Sequence, residues 1–498
     1  MVSSHLITIC KIGLNIMYLG IDLGTSSVKT VLMDENQNIL ASQTSPLSVS
    51  RPHDGWSEQS PAHWISAIEQ TLDLLKQSDA TSLSAVRGIG LSGHMHGATL
   101  IDKNDDVIRP CMLWNDTRSH EQAQRLDTAA SRKIAGNILF PGFTAPKVAW
   151  VAENEPEAFS RIAKILLPKD YVRLWLTGEH VAEMSDAAGT GWLDVGARIW
   201  SDELLQAMGL DQTHMPWLVE GTEVSGVVRK PLAERYNLGA NVVVAGGAGD
   251  NAASACGMGT VAAGSAFLSL GTSGVLFAAN DSYQPNAESA VHAFCHALPQ
   301  TWHQMGVILA ATDALNWISS VVQETPEALA KELEGKKAEP TDLIFLPYLG
   351  GERTPINDAN ARGVFVGLKH TTDRTEMVRA VMQGVSFAFR DCHLALQSAG
   401  TQLTQATAIG GGAKSEYWLQ VISNTLNLPL NVPADGDYGS SLGAARLGLI
   451  ATEEEDALSV CTPPATQKTI EPDGSYGQFI ELHERYRATY QSLAPIMS

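Results

Sequence analysis

Two aspartates in glycine-rich surroundings are the residues of this sequence best suited to acid–base chemistry. Asp250 lies in the run Gly246-Gly247-Ala248-Gly249-Asp250-Asn251, directly after the strand-like stretch 242–245, and Asp22 ends a similar stretch at 18–22. A carboxylate that glycines present at a strand end is well placed to face a cleft. One such acid can accept a hydroxyl proton while the other orients hydrated magnesium. Turn-capping aspartates also occur at such positions, and the residues alone leave that alternative open.

Three short segments have the composition of phosphate-binding loops. Glycine lets backbone N–H groups approach an anion closely, and hydroxyl side chains add donors. The segments are Gly24-Thr25-Ser26, Gly271-Thr272-Ser273 and Gly410-Gly411-Gly412, and the chain contains no GxxxxGK[ST] Walker loop. Any one of them could be only a tight turn. Together they favour nucleotide binding by hairpins and a glycine loop.

The first two of these segments are predicted to connect strands. A strand at 18–22, a turn, a strand at 28–33 and a return at Ile39 form a meander, and strands at 266–270 and 275–278 flank the second turn. Asp22-Leu23-Gly24-Thr25-Ser26 matches Ser269-Leu270-Gly271-Thr272-Ser273 in spacing. Such internal similarity indicates two domains with one core topology. The small-residue segment 245–264 is then predicted to lie at their junction.

Further elements follow from capping and periodicity. Ser60 is a suitable N-cap before Pro61, and a strand at 87–91 leads into Ser92. In the second half, a strand precedes Gly410 and a last, small-residue helix passes through 441–445. The inward faces of two further amphipathic helices are predicted to carry Ile65, Ile68, Leu72 and Leu75, and Trp418, Leu419, Ile422 and Leu426.

Composition limits the possible partners. The chain has 498 residues, of which 44% are hydrophobic and 18% charged, as is typical of a soluble globular protein. A formal net charge of -20 argues against nucleic acid and against an anionic membrane surface, because both require a basic face. Six cysteines without CxxC spacing favour a reducing compartment, and we expect the protein in the cytoplasm. No apolar run is long enough to span a bilayer.

Two segments resemble metal-binding motifs but lack residues that such motifs require. His292, Cys295 and His296 resemble metal ligands, but no fourth ligand stands at a sensible spacing, so strand or hairpin residues are the better interpretation. The stretch from Asp102 to Asp106 begins like a calcium loop but lacks the glycine and the closing glutamate that such loops require. We interpret it as a hairpin turn.

Longer motifs carry a resemblance to a known family. The run 142–151, followed by Glu153 and Asn154, and the run 363–368, which closes with Glu376-Met377 and 380–383, match two long signature patterns. On these residues the chain resembles the FGGY family of carbohydrate kinases, over nearly everything from Met17 to the last helix. The resemblance implies an α/β protein of two ribonuclease-H-like domains, of the actin/hexokinase superfamily, with a cleft between them.

The resemblance also implies a division of the chain. Residues 17–261 are expected to form the sugar-binding N-terminal domain, and residues 262–490 the nucleotide-binding C-terminal domain. Residues 1–16 are expected to be an extension outside the fold, because Met17 begins the first strand-like run.

Site residues carry over from the family position by position. Asp250 matches the catalytic base with Asn251 beside it, Met95 and His96 match sugar contacts, and Asp22 matches an essential acid that holds magnesium through water. His94 stands where glutamine is usual, and as a polar residue it is expected to be tolerated. ATP and Mg²⁺ are the implied cofactors. The implied nucleotide-binding residues are Gly24, Thr25, Ser26, Gly271, Thr272, Gly411 and Gly412.

Within the family, the segment Ser92-Gly93-His94-Met95-His96-Gly97-Ala98 is most similar to members that phosphorylate D-xylulose at O5. Another ketose or polyol, such as L-ribulose, L-fuculose or a ribitol-like substrate, is the alternative. An actin-like or chaperone-like ATPase is the alternative from a different class. The implied partners are a small sugar and ATP, and a homodimer would accord with similar kinases.

Overall fold

A computed structural model describes residues 16–434 and 439–497. Apart from Ile16, the predicted N-terminal extension at residues 1–16 lies outside the described residues. Within the described ranges, no helix combines the length and the apolar character needed to cross a bilayer.

The first half of the chain alternates strands and helices. Its strands are β1 (Met17–Leu23), β2 (Ser27–Asp34), β3 (Ile39–Pro46), β4 (Glu58–Gln59), β5 (Val86–Gly93), β6 (Thr99–Ile101), β7 (Cys111–Met112), β8 (Lys164–Leu166), β9 (Val181–Glu183), β10 (Leu193–Asp194), β11 (Ile199–Trp200), β12 (Trp217–Val219), β13 (Val224–Val227), β14 (Val243–Ala245) and β15 (Ala248–Gly249). Its helices are α1 (Pro61–Ser84), α2 (His120–Leu126), α3 (Ala129–Ala135), α4 (Thr144–Asn154), α5 (Pro156–Phe159), α6 (Pro168–Thr177), α7 (Met184–Ala187), α8 (Asp202–Gln206), α9 (Lys230–Tyr236) and α10 (Asp250–Met258).

The second half has fewer strands and longer helices. Its strands are β16 (Ala266–Leu270), β17 (Gly274–Asn280), β18 (His292–Cys295), β19 (Trp302–Ile308), β20 (Ile344–Leu346), β21 (Val364–Val366), β22 (Ala406–Ile409), β23 (Leu430–Pro433) and β24 (Thr466–Ile470). Its helices are α11 (Thr312–Val322), α12 (Pro326–Lys331), α13 (Arg374–Ser398), α14 (Glu416–Leu426), α15 (Gly439–Glu453), α16 (Ala457–Val460) and α17 (Tyr476–Met497).

Each half contains one large mixed sheet, and the two sheets share a strand order. The first runs β3-β2-β1-β5-β14-β13, with β15 also pairing with β5. The second runs β18-β19-β17-β16-β22-β23-β24. In both, neighbouring antiparallel strands, three in the first sheet and four in the second, are followed by two parallel pairings and a final antiparallel one. The predicted duplication of one core topology is therefore confirmed.

Most predicted elements are present. The meander, the strand that leads into Ser92 and the amphipathic helix α14 occur where periodicity placed them. Helix α1 does begin at Pro61, but the side chain of Ser60 makes no capping hydrogen bond. Ile65 is only partly buried on the inward face of α1. The small-residue helix α15 is not the last one, because α16 and α17 follow it.

Helix α15 belongs to the second half in sequence, yet it packs on the sheet of the first half. A Cβ placed on Gly20 of β1 would lie 2.0 Å from the carbonyl oxygen of Ser441, and one on Gly90 of β5 would lie 1.7 Å from that of Ala444. Side chains cannot fit there, so glycine allows helix backbone and strand backbone to touch. The domain limits 17–261 and 262–490 stay a prediction.

Candidate active site

A glycine loop between β14 and α10 delivers Asp250. Gly247 has a φ of +72°, and a Cβ there would lie 2.2 Å from the carbonyl oxygen of Leu91, so this sharp turn requires glycine. The sequence predicted a carboxylate at a strand end. In the structure Asp250 is the first residue of α10, where unpaired helix N–H groups favour a negative charge.

The carboxylate of Asp250 is balanced between opposing influences. Its Oδ1 accepts hydrogen bonds from the backbone N (2.8 Å) and the Nδ2 (3.0 Å) of Asn251, which favour the ionised form. Burial and the nearby negative charge of Asp22 outweigh these bonds and raise the pKa of Asp250 to about 6. At neutral pH the group is therefore mostly ionised but ready to take up a proton, as a general base requires.

Asp22 lies at the carboxyl end of β1 and is held from both halves of the chain. Its Oδ1 accepts a hydrogen bond from Ser92 Oγ (2.8 Å) on β5, and its Oδ2 accepts one from Ser440 Oγ (2.9 Å) on α15. Burial raises the pKa of Asp22, while the two hydroxyls oppose that shift. Neither serine was assigned a role from the sequence. Ser92 opens the segment 92–98 that resembles members of the family, and Ser440 directly precedes the predicted small-residue helix at 441–445.

The Met95-His96 pair follows β5, and its backbone is held in an unusual conformation. His96 has a φ of 70°, which a residue with a side chain rarely adopts. Its carbonyl oxygen accepts hydrogen bonds from Lys147 Nζ (2.9 Å) and Thr144 Oγ1 (3.1 Å), both within the first signature run. Burial lowers the pKa of Lys147 to about 7. The signature residues thus fix the backbone that presents His96.

The ring of His96 has a defined tautomer. Nδ1 lies 2.6 Å from the carbonyl oxygen of Gly189, which can only accept, so Nδ1 carries the proton and donates it. The ring stacks on Phe143, with centroids 4.6 Å apart. Burial lowers the pKa of His96 to about 3, so the ring is neutral and Nε2 offers a lone pair. Met95, 5% exposed, packs beside it.

His94 differs from the polar role expected for it. The side chain is buried, its ring lies edge-on to Trp64 at 5.8 Å, and neither ring nitrogen has a hydrogen-bond partner among the described residues. Burial lowers the pKa of His94 to about 3. A neutral imidazole here fills space against an aromatic ring instead of making a polar contact.

A buried ionic network supports the glycine loop that precedes Asp250. Lys169 Nζ lies 2.6 Å from Asp170 Oδ1 and 3.3 Å from carboxylate oxygens of Glu183 and Asp186, and Arg173 Nη2 lies 3.4 Å from Asp170. Three carboxylates face two cations in a region without solvent. Burial raises the pKa of Asp186 well above its usual value, because a site without solvent disfavours the charged form.

This network holds the glycine loop at both ends. Arg173 donates from Nη1 to the carbonyl oxygen of Ala245 (2.6 Å) and from Nη2 to that of Gly246 (2.6 Å). At the other end, Gly249 N donates to Ser185 Oγ (3.1 Å). The position of Asp250 therefore depends on residues of α6 and α7.

The first hairpin offers free backbone donors. Gly24 N donates to the carbonyl oxygen of Ser27 (3.0 Å) within the turn, and the hydroxyl of Thr25 accepts from Trp114 Nε1 (3.0 Å). The N–H groups of Thr25 and Ser26 have no acceptor among the described residues. Two adjacent N–H groups of this kind suit a phosphate oxygen.

The second hairpin lies against the glycine loop. The carbonyl oxygens of Gly271 and Thr272 accept from Thr312 N (2.9 Å) and Ala311 N (2.8 Å), which ties the turn to the start of α11. The N–H groups of Gly271 and Thr272 have no acceptor in the part of the chain that the structure describes. A Cβ on Gly410 would lie 2.6 Å from the carbonyl oxygen of Leu270, so the loop packs directly on this strand end.

Gly411 and Gly412 open a short 3-10 helix, Gly411–Lys414, beside two cavities. One, of about 400 Å³, is lined by Gly411, Gly412, Thr312 and Asn316 among others. The other, of about 880 Å³, adjoins Gly410 and Gly411 on the far side. Gly411 and Gly412 thus line space that a nucleoside can occupy. The turn at Gly271 and Thr272 is hydrogen-bonded to Thr312, which lines the same cavity.

The rejected metal motifs have ordinary structural roles. His292 and Cys295 lie on β18, as the strand interpretation predicted. Asp102 N donates to the carbonyl oxygen of Asp106 (3.0 Å), which confirms a turn.

Family models match the chain in two consecutive segments. The model for the FGGY family of carbohydrate kinases, N-terminal domain, matches residues 17–257. The model for the C-terminal domain of the same family matches residues 266–452.

Individual proteins are similar over nearly the whole chain. A xylulose kinase of Escherichia coli (strain K12) is 46% identical over 97% of this chain and 100% of its own length. A xylulose kinase of Klebsiella pneumoniae is 44% identical with the same coverage. The crystal structure of a xyloylose kinase from Brucella ovis superposes with a TM-score of 0.95 at 58% identity, over 96% of this chain and 100% of that one.

Proposed function

The chain belongs to the FGGY family of carbohydrate kinases, and from that premise we propose that it transfers the γ-phosphate of ATP to O5 of D-xylulose, giving D-xylulose 5-phosphate. The relatives that are 46% and 44% identical are both xylulose kinases. The observation that carries the proposal is the pair of carboxylates, Asp250 at the start of α10 and Asp22 at the end of β1, beside the neutral ring of His96.

We assign general-base catalysis to Asp250. Its pKa of about 6 leaves it ionised at neutral pH, so it can accept the O5 proton as that oxygen attacks the γ-phosphate. A positioned base contributes about 10²- to 10⁴-fold in rate. Asn251 holds one carboxylate oxygen through two hydrogen bonds, which leaves the other oxygen for the substrate.

Sugar binding is assigned to the residues after β5. His96 Nε2 is a hydrogen-bond acceptor for a sugar hydroxyl, because Nδ1 already donates to Gly189. Met95 supplies an apolar surface for the carbon chain, and Asn251 adds an amide. These residues lie in the first half, in line with the proposed sugar-binding domain.

Nucleotide binding is assigned to the two hairpins and the glycine loop. Free N–H groups at Thr25, Ser26, Gly271 and Thr272 are donors for phosphate oxygens. The cavity of about 400 Å³ beside Gly412 would take the nucleoside.

Magnesium is proposed as the metal partner of ATP. Among the described residues no group of three or more histidine, cysteine or acidic side chains is arranged to hold a metal ion. That fits Mg²⁺, which usually keeps several waters and is bound through one or two carboxylates plus the phosphates. Asp22 would hold a magnesium-bound water, since each of its oxygens accepts one hydrogen bond from the described residues and can accept another. When bound, the ion neutralises charge on the transferred phosphoryl group.

We further propose a cytoplasmic location and a homodimer. The described cysteines, Cys111, Cys256, Cys295, Cys392 and Cys461, are all free, which suits a reducing compartment. Sedimentation of the purified chain tests the oligomeric state, and a monomer at micromolar concentration would contradict the dimer.

A sugar panel tests the proposed function. ADP release is measured with D-xylulose, L-ribulose, L-fuculose and ribitol, each with and without Mg²⁺. We expect D-xylulose to have the highest kcat/KM and to require Mg²⁺. A better substrate elsewhere in the panel would overturn the assignment of the sugar, and ADP release that no sugar stimulates would overturn kinase activity.

A further inference from the structure

Arg353 forms no ion pair with a carboxylate of the described residues, and within them the hydrogen-bond contact of its side chain is Nη1 to His292 Nε2 at 3.5 Å. The carboxyl group of the neighbouring Glu352 is held by backbone N–H groups instead, because its Oε1 accepts from Leu309 N (2.9 Å) and from Arg353 N (2.7 Å). Burial raises the pKa of Glu352 to about 8, so that side chain is mostly uncharged at neutral pH. A half-buried guanidinium without an ion pair among the described residues is well suited to bind a polar ligand.

The guanidinium lies at one end of an aromatic wall. Its Cζ is 4.7 Å from the ring centroid of Phe140. From His292, beside it, the wall continues to Phe143 (centroids 6.0 Å apart) and from Phe143 to His96 (4.6 Å). Arg353 is near enough to His96 for its charge to lower the pKa of that ring. The wall therefore joins Arg353 to the proposed sugar contacts.

The catalytic carboxylate lies at the other end. A Cβ on Gly249, the residue before Asp250, would lie 2.8 Å from Met95 Cγ, and one on Gly189 would lie 2.9 Å from Met95 Cε and 2.6 Å from His96 Cε1. Going along the site, the order is Asp250, Met95, His96, then the aromatic wall and Arg353. A five-carbon sugar whose O5 meets Asp250 consequently directs its C1–C2 end towards Arg353.

We propose that Arg353 contacts the sugar directly and donates two parallel hydrogen bonds to the C1 hydroxyl oxygen and the C2 carbonyl oxygen of the ketose. This inference rests on the proposed function. Among the described residues the hydrogen bond of the Arg353 side chain is made by Nη1, so Nε and Nη2 remain available. The planar guanidinium fork matches two neighbouring oxygens, as it does in carboxylates. An α-hydroxyketone presents such a pair, whereas a polyol has no carbonyl oxygen.

The contact would come from the second half of the chain. The loop that carries Arg353 is fastened to β19 through Thr354, whose N donates to the carbonyl oxygen of Val307 (3.1 Å) and whose Oγ1 accepts from Val307 N (3.0 Å). Met95, His96 and Asp250 belong to the first half. A bound ketose would therefore link the two halves through its own oxygens, and specificity for its C1–C2 end would be read by a loop outside the proposed sugar-binding domain.

A double-mutant cycle between protein and substrate tests this contact. D-xylulose and 1-deoxy-D-xylulose, which lacks only the C1 hydroxyl, are compared as substrates of the full-length wild type and of the Arg353→Met variant. We expect Arg353→Met to lower kcat/KM on D-xylulose by about tenfold or more, chiefly through KM, because hydrogen bonds to a charged group are lost. On 1-deoxy-D-xylulose the loss should be at least about threefold smaller, because one of the two bonds is already missing. The KM for ATP should not change.

Controls separate the possible failures. Arg374→Met removes an exposed arginine that pairs with Glu332, and it should leave kcat/KM for both sugars unchanged. Arg353→Lys keeps the positive charge but lacks the planar guanidinium, so it should recover only part of the kcat/KM lost in Arg353→Met. It also provides a second test of the contact if Arg353→Met is unstable. If Arg353→Met lowered kcat/KM equally for the two sugars, or raised the KM for ATP, the proposed contact would be wrong. Failure of the wild type to phosphorylate D-xylulose would instead reject the proposed function.

Discussion

Gly20 and Phe267 occupy the same position in two matching strand pairs, yet their surroundings are opposite. On β1, Gly20 has no side chain, and the backbone of helix α15 lies directly on it. On β16, Phe267 stacks against Phe277 of the neighbouring strand, with centroids 4.7 Å apart, in an apolar cluster that includes Ala255 of α10. Two copies of one topology have thus been packed in different ways, one by backbone contact and one by aromatic side chains.

The difference extends to the chemistry two residues further on. The strand with glycine ends in Asp22, held by Ser92 and Ser440, while the strand with phenylalanine has Ser269 at the matching place. Because Ser440 lies on α15, the close backbone contact at Gly20 also positions the hydroxyl that binds Asp22. The two proposed acid–base carboxylates therefore lie in the half with the closer contact, while the other half supplies a proposed phosphate-binding turn and the glycine loop.

The largest effect is expected at the base that only the first half supplies. Asp250→Asn keeps the shape and the helix start but cannot accept a proton, so kcat should fall by at least ~10²-fold. Steady-state ADP release measures it, and circular dichroism with a thermal melt checks the fold. A folded variant with near-normal kcat would remove Asp250 from the mechanism.

The next effect compares the matched strand ends directly. Asp22→Asn should lower kcat by about tenfold or more, because a carboxylate next to the phosphates is lost. Ser269→Ala, at the equivalent place, should change kcat by no more than about twofold, since surface and turn substitutions away from special features have small effects. Equal losses in the two variants would mean that both hairpins serve the same purpose.

Lowering the pH should reduce activity by protonating Asp250 of the first half. Asp250 has a raised pKa of about 6 and acts when ionised, so kcat/KM should fall towards tenfold per pH unit below that value. His96, whose pKa is lowered to about 3, should not contribute above pH 5. A pH profile of kcat/KM with D-xylulose measures the inflection, and an inflection that survives in Asp250→Asn would have to come from another group.

The smallest effect tests the two packing modes. Gly20→Ala would place a Cβ 2.0 Å from the Ser441 carbonyl oxygen, and overpacking of this kind costs about 1–3 kcal/mol. Because the displaced helix carries Ser440, kcat should also fall a fewfold. Phe267→Leu should cost about 1 kcal/mol or somewhat more in stability, with kcat preserved. Urea unfolding and kcat are measured for both variants. Loss of activity in Phe267→Leu but not in Gly20→Ala would contradict the expected link between the Gly20 contact and activity.

The sequence carried the duplicated topology because the strand periods, the turn residues and the spacing of Asp22 and Ser269 are all local. Asp250 and the Met95-His96 pair were also recognisable, from their glycine-rich neighbours and the family motifs. Ser440 and Arg353 were not assigned roles, because their partners lie hundreds of residues away or on another element. The ring nitrogens of His94 have no hydrogen-bond partner among the described residues because the ring is buried against Trp64. No local sequence pattern predicts that burial.

The packing of α15 on β1 and β5 also determines where the chain could be divided into two fragments. A fragment that stops before residue 439 would leave bare glycine backbone on the first sheet, a groove shaped for one particular helix. Supplying that helix as a separate peptide should restore the missing wall and, with it, a hydroxyl for Asp22. The two halves are thus interlocked, because a helix from the second half completes the packing of the first sheet.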